Sequence, residues 1–238
     1  MRRFRYLDAL TTAFVVVLLV SNLVAQKVVR IPLFSIHGHS DSISTSGAML
    51  LFPITYIFGD IFTEIYGYAA SRRAIWLGFF GTALLYAISA LVIALPSDPE
   101  FHNQQAFVTV FGILPRILIA SLAAFWAGEF ANSYTMAKLK LWTNGEKLWT
   151  RTIGSTIVGQ GVDTVLVITL TFAGRYPVRT LGNIIVTGYL LKVAYEVLAT
   201  PITYVVIGWL KRSESSDPFD RNENFNPFSF GGRDASGG

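Results

Sequence analysis

The sequence contains no cysteine and only three histidines. Without cysteine there can be no disulfide, no thiolate metal site and no cysteine nucleophile. Charge is also scarce, because Asp, Glu, Lys and Arg make up 14% of the residues, against about 25% in a typical soluble domain. This scarcity excludes an ordinary soluble domain. Hydrophobic residues account for 52% of the chain, and the mean hydropathy is +0.49, so the composition indicates an integral membrane protein.

Long apolar runs determine the predicted fold class. We predict an all-α polytopic membrane protein, because each run reaches the roughly 20 residues that a transmembrane helix needs. A single membrane domain covers residues 1–212, and its six predicted transmembrane helices are residues 6–26, 47–68, 74–95, 115–137, 152–173 and 183–210. Residues 213–238 are rich in Ser, Asn, Asp and Gly, which predicts a disordered cytoplasmic tail.

Lys and Arg are unevenly distributed among the segments that join these helices. Thirteen of them lie on the side of the two termini, and four lie on the opposite side. Because cytoplasmic loops carry the excess of positive charge, both termini are predicted to be cytoplasmic. The pI of 9.4 comes from these cations, whose role is to set the orientation of the helices in the membrane, so no nucleic-acid partner is expected.

The first predicted outer loop has its own pattern. Apolar and polar residues alternate through Val29–Ile36 and again from Ile43, which predicts a small β-hairpin. His37 and His39 lie in this loop, but a histidine pair without a third ligand is more often simply polar. We therefore predict no metal site and no cofactor.

Every predicted transmembrane helix except the third carries polar residues about one helical turn apart, so each presents one polar face. The predicted substrate-binding residues are Asn22, Gln26, Tyr56, Asp60, Glu64, Glu129, Asn132, Gln160, Asp163, Lys192 and Glu196. Asp60, Glu129, Asp163 and Glu196 lie at similar depths, ~17–21 Å from the start of their helices at ~1.5 Å per residue. The sequence therefore predicts a polar pocket near the middle of the membrane.

Two interpretations of these polar residues compete. They could simply join helices, with Lys192 paired to Glu196 and with Gly59, Gly128 and Gly159 allowing close packing. However, carboxylates outnumber cations inside the membrane, and unpaired buried carboxylates imply a proton, a ligand or water. Carboxylates combined with Asn, Gln, Thr and Tyr suit a flat polar heterocycle with N–H donors, and the chemistry of the residues goes no further than that class.

Five segments of the chain resemble the queuosine precursor transporter family, a branch of the bacterial vitamin uptake transporters. They are SNLVAQKVV, LFPITYIFGDIFTEIYGY, ASLAAFWAGEFANSYTMAKLK, RTIGSTIVGQGVDT and GYLLKVAYEVLATPITY. The resemblance covers about residues 6–212 and implies a six-helix protein of the bacterial inner membrane that imports 7-cyano-7-deazaguanine or its aminomethyl relative. It assigns the eleven predicted residues to the substrate site, and it suggests a relation to the substrate-binding subunits of energy-coupling-factor transporters.

Three functions remain open at this stage. The first is a transporter that works alone by alternating access, with Asp163 or Glu196 as the candidate group for proton coupling. The second is a binding subunit that needs a separate ATPase, since the chain has no Walker A loop. The third is an intramembrane hydrolase with Asp60 and Asp163 as an acid pair. The expected partners are a small heterocycle and the lipid bilayer; a homodimer and an ATPase partner stay open, and no enzyme activity is expected.

Overall fold

The computed structural model describes residues 4–25, 27–32, 42–112, 115–221 and 223–229. The chain folds as a bundle of long helices, which confirms the predicted helical fold class. The long helices are α1 (Leu7–Val24), α3 (Tyr68–Ala94), α5 (Pro115–Trp142), α6 (Leu148–Phe172) and α7 (Val178–Glu214), and a short α4 (Gln104–Phe111) precedes α5. Five regions among the described residues are long and apolar enough to cross a membrane: α1, α3, the region Gln104–Trp142, α6 and α7.

The second predicted transmembrane helix is present but interrupted. A 3₁₀ turn (Gly47–Leu50) leads into α2 (Phe52–Ile61), and α2 continues as one π-helical turn (Phe62–Tyr66). Gly67 then ends the helix with a φ of 83°, in the left-handed region that glycine adopts without strain. This interruption makes Gly67 a sharp junction between α2 and α3.

The predicted hairpin is also present. Strand β1 (Val28–Pro32) pairs antiparallel with β2 (Ser42–Ser46), so that Val28 faces Ser46 and Pro32 faces Ser42. His37 and His39 lie outside the described residues. The hairpin follows α1 and leads directly into the turn before α2.

Several helices are longer than hydropathy predicts. Helix α3 begins at Tyr68 rather than at Ala74, and α7 extends from Val178 to Glu214 rather than from Asn183 to Leu210. Many of the added residues are polar or charged, such as Arg72, Arg73 and Arg179, and they belong to helix ends where side chains reach water or other helices. Hydropathy locates the apolar part of a helix and misses such polar ends.

Glycines allow α5 and α6 to pack closely. A methyl group at Gly159 would lie 2.6 Å from Cβ of Asn132 and 2.9 Å from the carbonyl oxygen of Gly128. Helix α3 presents an exposed apolar stripe that includes Leu77, Leu84 and Leu91. The sequence predicts α3 as a lipid-facing buttress, and this exposed stripe agrees with that interpretation.

The segment after α7 differs from the prediction of a disordered tail. Within it, residues 215–221 and 223–229 lie against the helices: the Ser216 hydroxyl donates to the carbonyl of Ile65 at 2.9 Å, and the ring of Phe228 packs 5.8 Å from that of Trp76, centroid to centroid. Apolar surface in this short segment comes from Phe219, Phe225 and Phe228. An average over its composition does not show that three spaced aromatic residues can anchor it. Residues 230–238 lie outside the described residues.

Candidate substrate site

A cavity of about 290 Å³ lies among α1, α2, α5, α6 and α7. Small-ligand sites span roughly 300–1,000 Å³, so the cavity is at the compact end of that range. Its polar lining residues are Ser21, Asn22, Thr55, Ser121, Glu129, Gln160, Asp163 and Lys192, and its apolar ones include Phe14, Leu18, Phe125 and Val167. A compact cavity with several fixed polar groups and aromatic side chains suits a small planar ligand.

Five of the eleven sequence-predicted residues line this cavity, namely Asn22, Glu129, Gln160, Asp163 and Lys192. Four others, Asp60, Glu64, Asn132 and Glu196, are placed outside its lining. Gln26 lies outside the described residues, and so does the side chain of Tyr56, although its backbone belongs to α2. The structure therefore brings residues from α1, α5, α6 and α7 to one cavity, whereas the acids Asp60, Glu64 and Glu196 do not line it.

Lys192 and Asp163 form an ion pair across α6 and α7. The ammonium Nζ lies 2.6 Å from Oδ2 of Asp163, and both side chains are about one quarter exposed. The sequence also offers Lys192–Glu196 as a pair, but the structure places Asp163 at Lys192 instead. A partner one turn away on the same helix is easy to read from sequence, whereas a partner on a neighbouring helix depends on packing.

Glu129 is the cavity carboxylate without a cation beside it. Among the described residues no Lys, Arg or His forms an ion pair with Glu129, whereas Asp163 is paired with Lys192. Gly59 of α2 is the neighbour of Glu129, because a methyl group at Gly59 would be in ordinary van der Waals contact with Oε2 of Glu129 at 3.5 Å and with Nδ2 of Asn132 at 3.4 Å. Helix α2 therefore backs directly onto the acidic wall of the cavity.

Asn22 is held at the cavity wall by two contacts. Its side-chain N–H donates to the carbonyl of Leu18 at 2.9 Å, and its Oδ1 accepts from the hydroxyl of Tyr86 at 3.3 Å. Tyr86 belongs to α3, the helix for which the sequence predicts no polar face. Tyr86 was not among the predicted residues, because one tyrosine in an apolar stretch carries no pattern.

Asp60 and Glu196 are buried but do not line the cavity. They are 1% and 0% exposed, and they lie close enough for their charges to interact. Within the described part of the chain, both carboxylate oxygens of Glu196 lack a hydrogen-bond partner, and so does Oδ2 of Asp60. A buried, uncompensated carboxylate is costly in a membrane protein, so this pair is a place where protons or a cation would be accommodated.

Glu64 is surrounded by cations. Arg151 donates to both oxygens of Glu64 at 2.8 Å, Lys140 lies 3.3 Å from Oε1, and Lys211 lies 2.6 Å from the same oxygen. Asp217 contacts both lysines. We call Glu64, Lys140, Arg151, Lys211 and Asp217 the ion cluster. It occupies one end of the bundle, away from the cavity lining.

The role of the three cations in the ion cluster was not predicted from the sequence. Lys140, Arg151 and Lys211 lie just beyond the predicted ends of their apolar runs, where they count toward topology. Yet the side chains of Lys140 and Arg151 are only 3% and 1% exposed. Long basic side chains at helix ends can reach inward. An acid such as Glu64, close to the end of its own apolar run, was the one sign in the sequence that they would do so.

Comparison with known proteins places the chain in a family. Residues 46–206 match the family model described as "putative vitamin uptake transporter", and this match covers more than half of the chain. The chain belongs to the vitamin uptake transporter family. This transporter matches no solved structure.

The transporter also has a named relative in Bacillus subtilis (strain 168). The two chains are 29% identical over 169 residues, which is 70% of this chain and 73% of the relative, and the relative is described as a "probable queuosine precursor transporter". The resemblance to queuosine precursor transporters is therefore confirmed. The family match contains Glu129, Gln160, Asp163 and Lys192, and it leaves out α1 and the segment after α7.

Proposed function

We propose that this transporter imports a queuosine precursor of the 7-deazaguanine class, 7-cyano-7-deazaguanine or its aminomethyl relative, across the bacterial inner membrane. The observation that carries the proposal is the cavity wall formed by Glu129, Gln160 and the Lys192–Asp163 pair. The name of the Bacillus subtilis relative supports the substrate class. Both termini lie on the cytoplasmic side, as the distribution of Lys and Arg indicates.

Glu129 recognises the guanine-like edge of the substrate. A ring N–H and an exocyclic amino group lie side by side on that edge, and one carboxylate can accept from both. Since Glu129 lines the cavity without a cation of its own, its oxygens are available for this contact. A hydrogen bond to a charged group contributes about 1.5–3 kcal/mol, which makes this carboxylate the main determinant of affinity.

The remaining cavity residues complete the contacts. Gln160 and Asn22 can donate to the ring carbonyl or to the substituent at position 7, and Lys192 can donate to the same acceptors while Asp163 balances its charge. Phe14 and Phe125 supply apolar surface for the planar ring. Each polar group of such a substrate then has a partner, as burial in a compact cavity requires.

Transport proceeds by alternating access, and the ion cluster closes the end of the bundle away from the cavity. We assign proton coupling to Glu196 rather than to Asp163. Glu196 is buried with no partner among the described residues, whereas Asp163 is committed to Lys192. A carboxyl group in that position can carry a proton in one conformation and release it in another without breaking an ion pair.

The test is uptake by purified transporter in proteoliposomes. Radiolabelled 7-cyano-7-deazaguanine should enter liposomes that contain the transporter and not protein-free liposomes, and unlabelled guanine-type compounds should compete. With an alkaline interior and a clamped membrane potential, substrate should accumulate above the external concentration, and Glu196→Gln should abolish accumulation while leaving equilibration. Absence of uptake under all conditions would refute the import proposal, and accumulation by Glu196→Gln would refute the coupling assignment.

A further inference from the structure

Residues 216–221 and 223–228 turn back from α7 onto the bundle, and we call them the strap. Ser215 ends α7 with a φ of 47°. The Ser216 hydroxyl then donates to the carbonyl of Ile65 at 2.9 Å, and the carboxylate of Asp220 accepts from the backbone N–H of Tyr68 at 3.1 Å. These two contacts lie on either side of Gly67, the junction between α2 and α3.

The junction needs such contacts. The π-helical turn and Gly67 interrupt the regular hydrogen bonding of the helix, so backbone groups on both sides lack their usual helical partners. The strap supplies an acceptor to Tyr68 and a donor to Ile65. Gly67 also makes room for the strap, because a methyl group there would lie 2.9 Å from Oδ1 of Asp220.

The strap also completes the ion cluster. Asp217 forms ion pairs with Lys140 and Lys211, and both lysines contact Glu64 in the π-helical turn. Burial disfavours the charged form of Asp217, but hydrogen bonds from Lys140 and Lys211 outweigh that effect and lower the pKa of its carboxyl group. The strap thus ties α5 and α7 to the turn that carries Glu64.

The far end of the strap is anchored on α3 and α5. Arg72 donates to the carbonyl of Asn224 at 2.6 Å, and the indole N–H of Trp76 donates to the carbonyl of Pro227 at 2.8 Å. The ring of Phe228 packs against the rings of Trp76 and Trp126. The ring of Phe225 packs against that of Tyr68 as well, so backbone carbonyls and aromatic rings hold the segment along its length.

We propose that the strap is a latch on the Gly67 junction, and that it must detach before the cavity opens toward the end of the bundle that holds the ion cluster. The proposal rests on the transport function proposed above. Helix α2 provides the link, because its Gly59 backs onto Glu129 and its Thr55 lines the cavity. A bend at Gly67 would move α2 and open the cavity wall, and the strap contacts oppose that bend.

Thr203 offers a reporter position for this opening. It is fully buried on α7, two turns beyond Glu196 and two turns before Lys211. The chain has no cysteine, so Thr203→Cys introduces a single thiol between the buried acids and the ion cluster. Its rate of reaction with a water-soluble maleimide, measured on purified full-length protein in nanodiscs, reports how often that region opens to water.

Two changes release the strap, and one matched change leaves it intact. Asp217→Asn combined with Asp220→Asn removes the charge from two side chains that anchor the strap and so weakens three of its contacts, and deletion of residues 216–238 removes it entirely. Deletion of residues 230–238 alone keeps every contact described above. We expect both releasing changes to raise the labelling rate at least ~10-fold, which corresponds to about 1.4 kcal/mol, and we expect the control deletion to leave the rate unchanged.

Equal labelling rates in the folded double variant and the parent would overturn the latch. If deletion of residues 216–238 gives aggregated protein on size-exclusion chromatography, the double variant decides. The result is independent of substrate identity, because no substrate is added. A failed transport assay would therefore refute the proposed import and leave the latch standing, whereas unchanged labelling would refute the latch and leave the import standing.

Discussion

Replacement of Glu64 by glutamine tests whether the ion cluster holds the fold together or binds substrate. The change keeps the shape of the side chain and removes its charge. The side chains of Glu64 and Arg151 are 0% and 1% exposed, so water cannot replace the lost interaction. Arg151, Lys140 and Lys211 would then face a neutral amide, whose NH2 group is a hydrogen-bond donor and cannot accept from them.

The expected cost follows from this geometry. Arg151 donates two hydrogen bonds to Glu64, both at 2.8 Å, and the amide can accept only one of them. Removal of one partner of a buried ion pair costs about 3–5 kcal/mol, because the remaining charge is left uncompensated. Lys211 is 25% exposed and can turn toward water, which places the expected loss toward the lower end of that range.

Reversible unfolding in mixed detergent micelles measures this loss. Glu223→Gln is the matched control, since Glu223 makes a single, longer contact of 3.4 Å with Arg72, and the amide oxygen of glutamine can still accept from Arg72. We expect a large decrease in unfolding free energy for Glu64→Gln and a small one for Glu223→Gln. If Glu64→Gln retains full stability but loses substrate binding, Glu64 belongs to the substrate site and the separation described above is wrong.

Two further predictions concern packing and orientation. Gly159→Ala should lower stability by about 1–3 kcal/mol, because the added methyl group would lie 2.6 Å from Cβ of Asn132; unchanged thermal stability would contradict the close packing of α5 and α6. For orientation, Glu100→Cys should react with an impermeant maleimide on intact cells and Glu146→Cys should not, since the two exposed residues lie in loops on opposite sides of the membrane. The reverse labelling pattern would invert the proposed topology.

The sequence predicted the helices well, because hydropathy over about 20 residues is a strong local signal. Its errors are at helix ends, where α3 begins six residues early and where α2 breaks at Gly67. The break depends on a π-helical turn and on contacts from the strap. Neither has a signal in the local sequence.

The lining of the cavity was predicted in part. Helical spacing predicts polar faces that carry Asn22, Glu129, Gln160, Asp163 and Lys192, and in the structure these five residues line one cavity; their role in substrate binding stays a prediction. Spacing could not decide which inward-facing acid meets which cation, because that depends on the rotation and height of neighbouring helices. The pairing of Lys192 with Asp163 and the place of Glu64 in the ion cluster therefore became visible only in the structure.

Glu129 is proposed to bind the guanine-like edge of the substrate in the cavity. Isothermal titration calorimetry of the purified transporter with 7-cyano-7-deazaguanine, and with an adenine-type analogue that lacks this edge, tests it directly. We predict binding of the guanine-type compound and not of the adenine-type compound. Glu129→Gln should weaken the guanine-type binding at least ~10-fold, since a charge-assisted hydrogen bond is lost. Equal binding of both compounds, or unchanged affinity in folded Glu129→Gln, would contradict the claim.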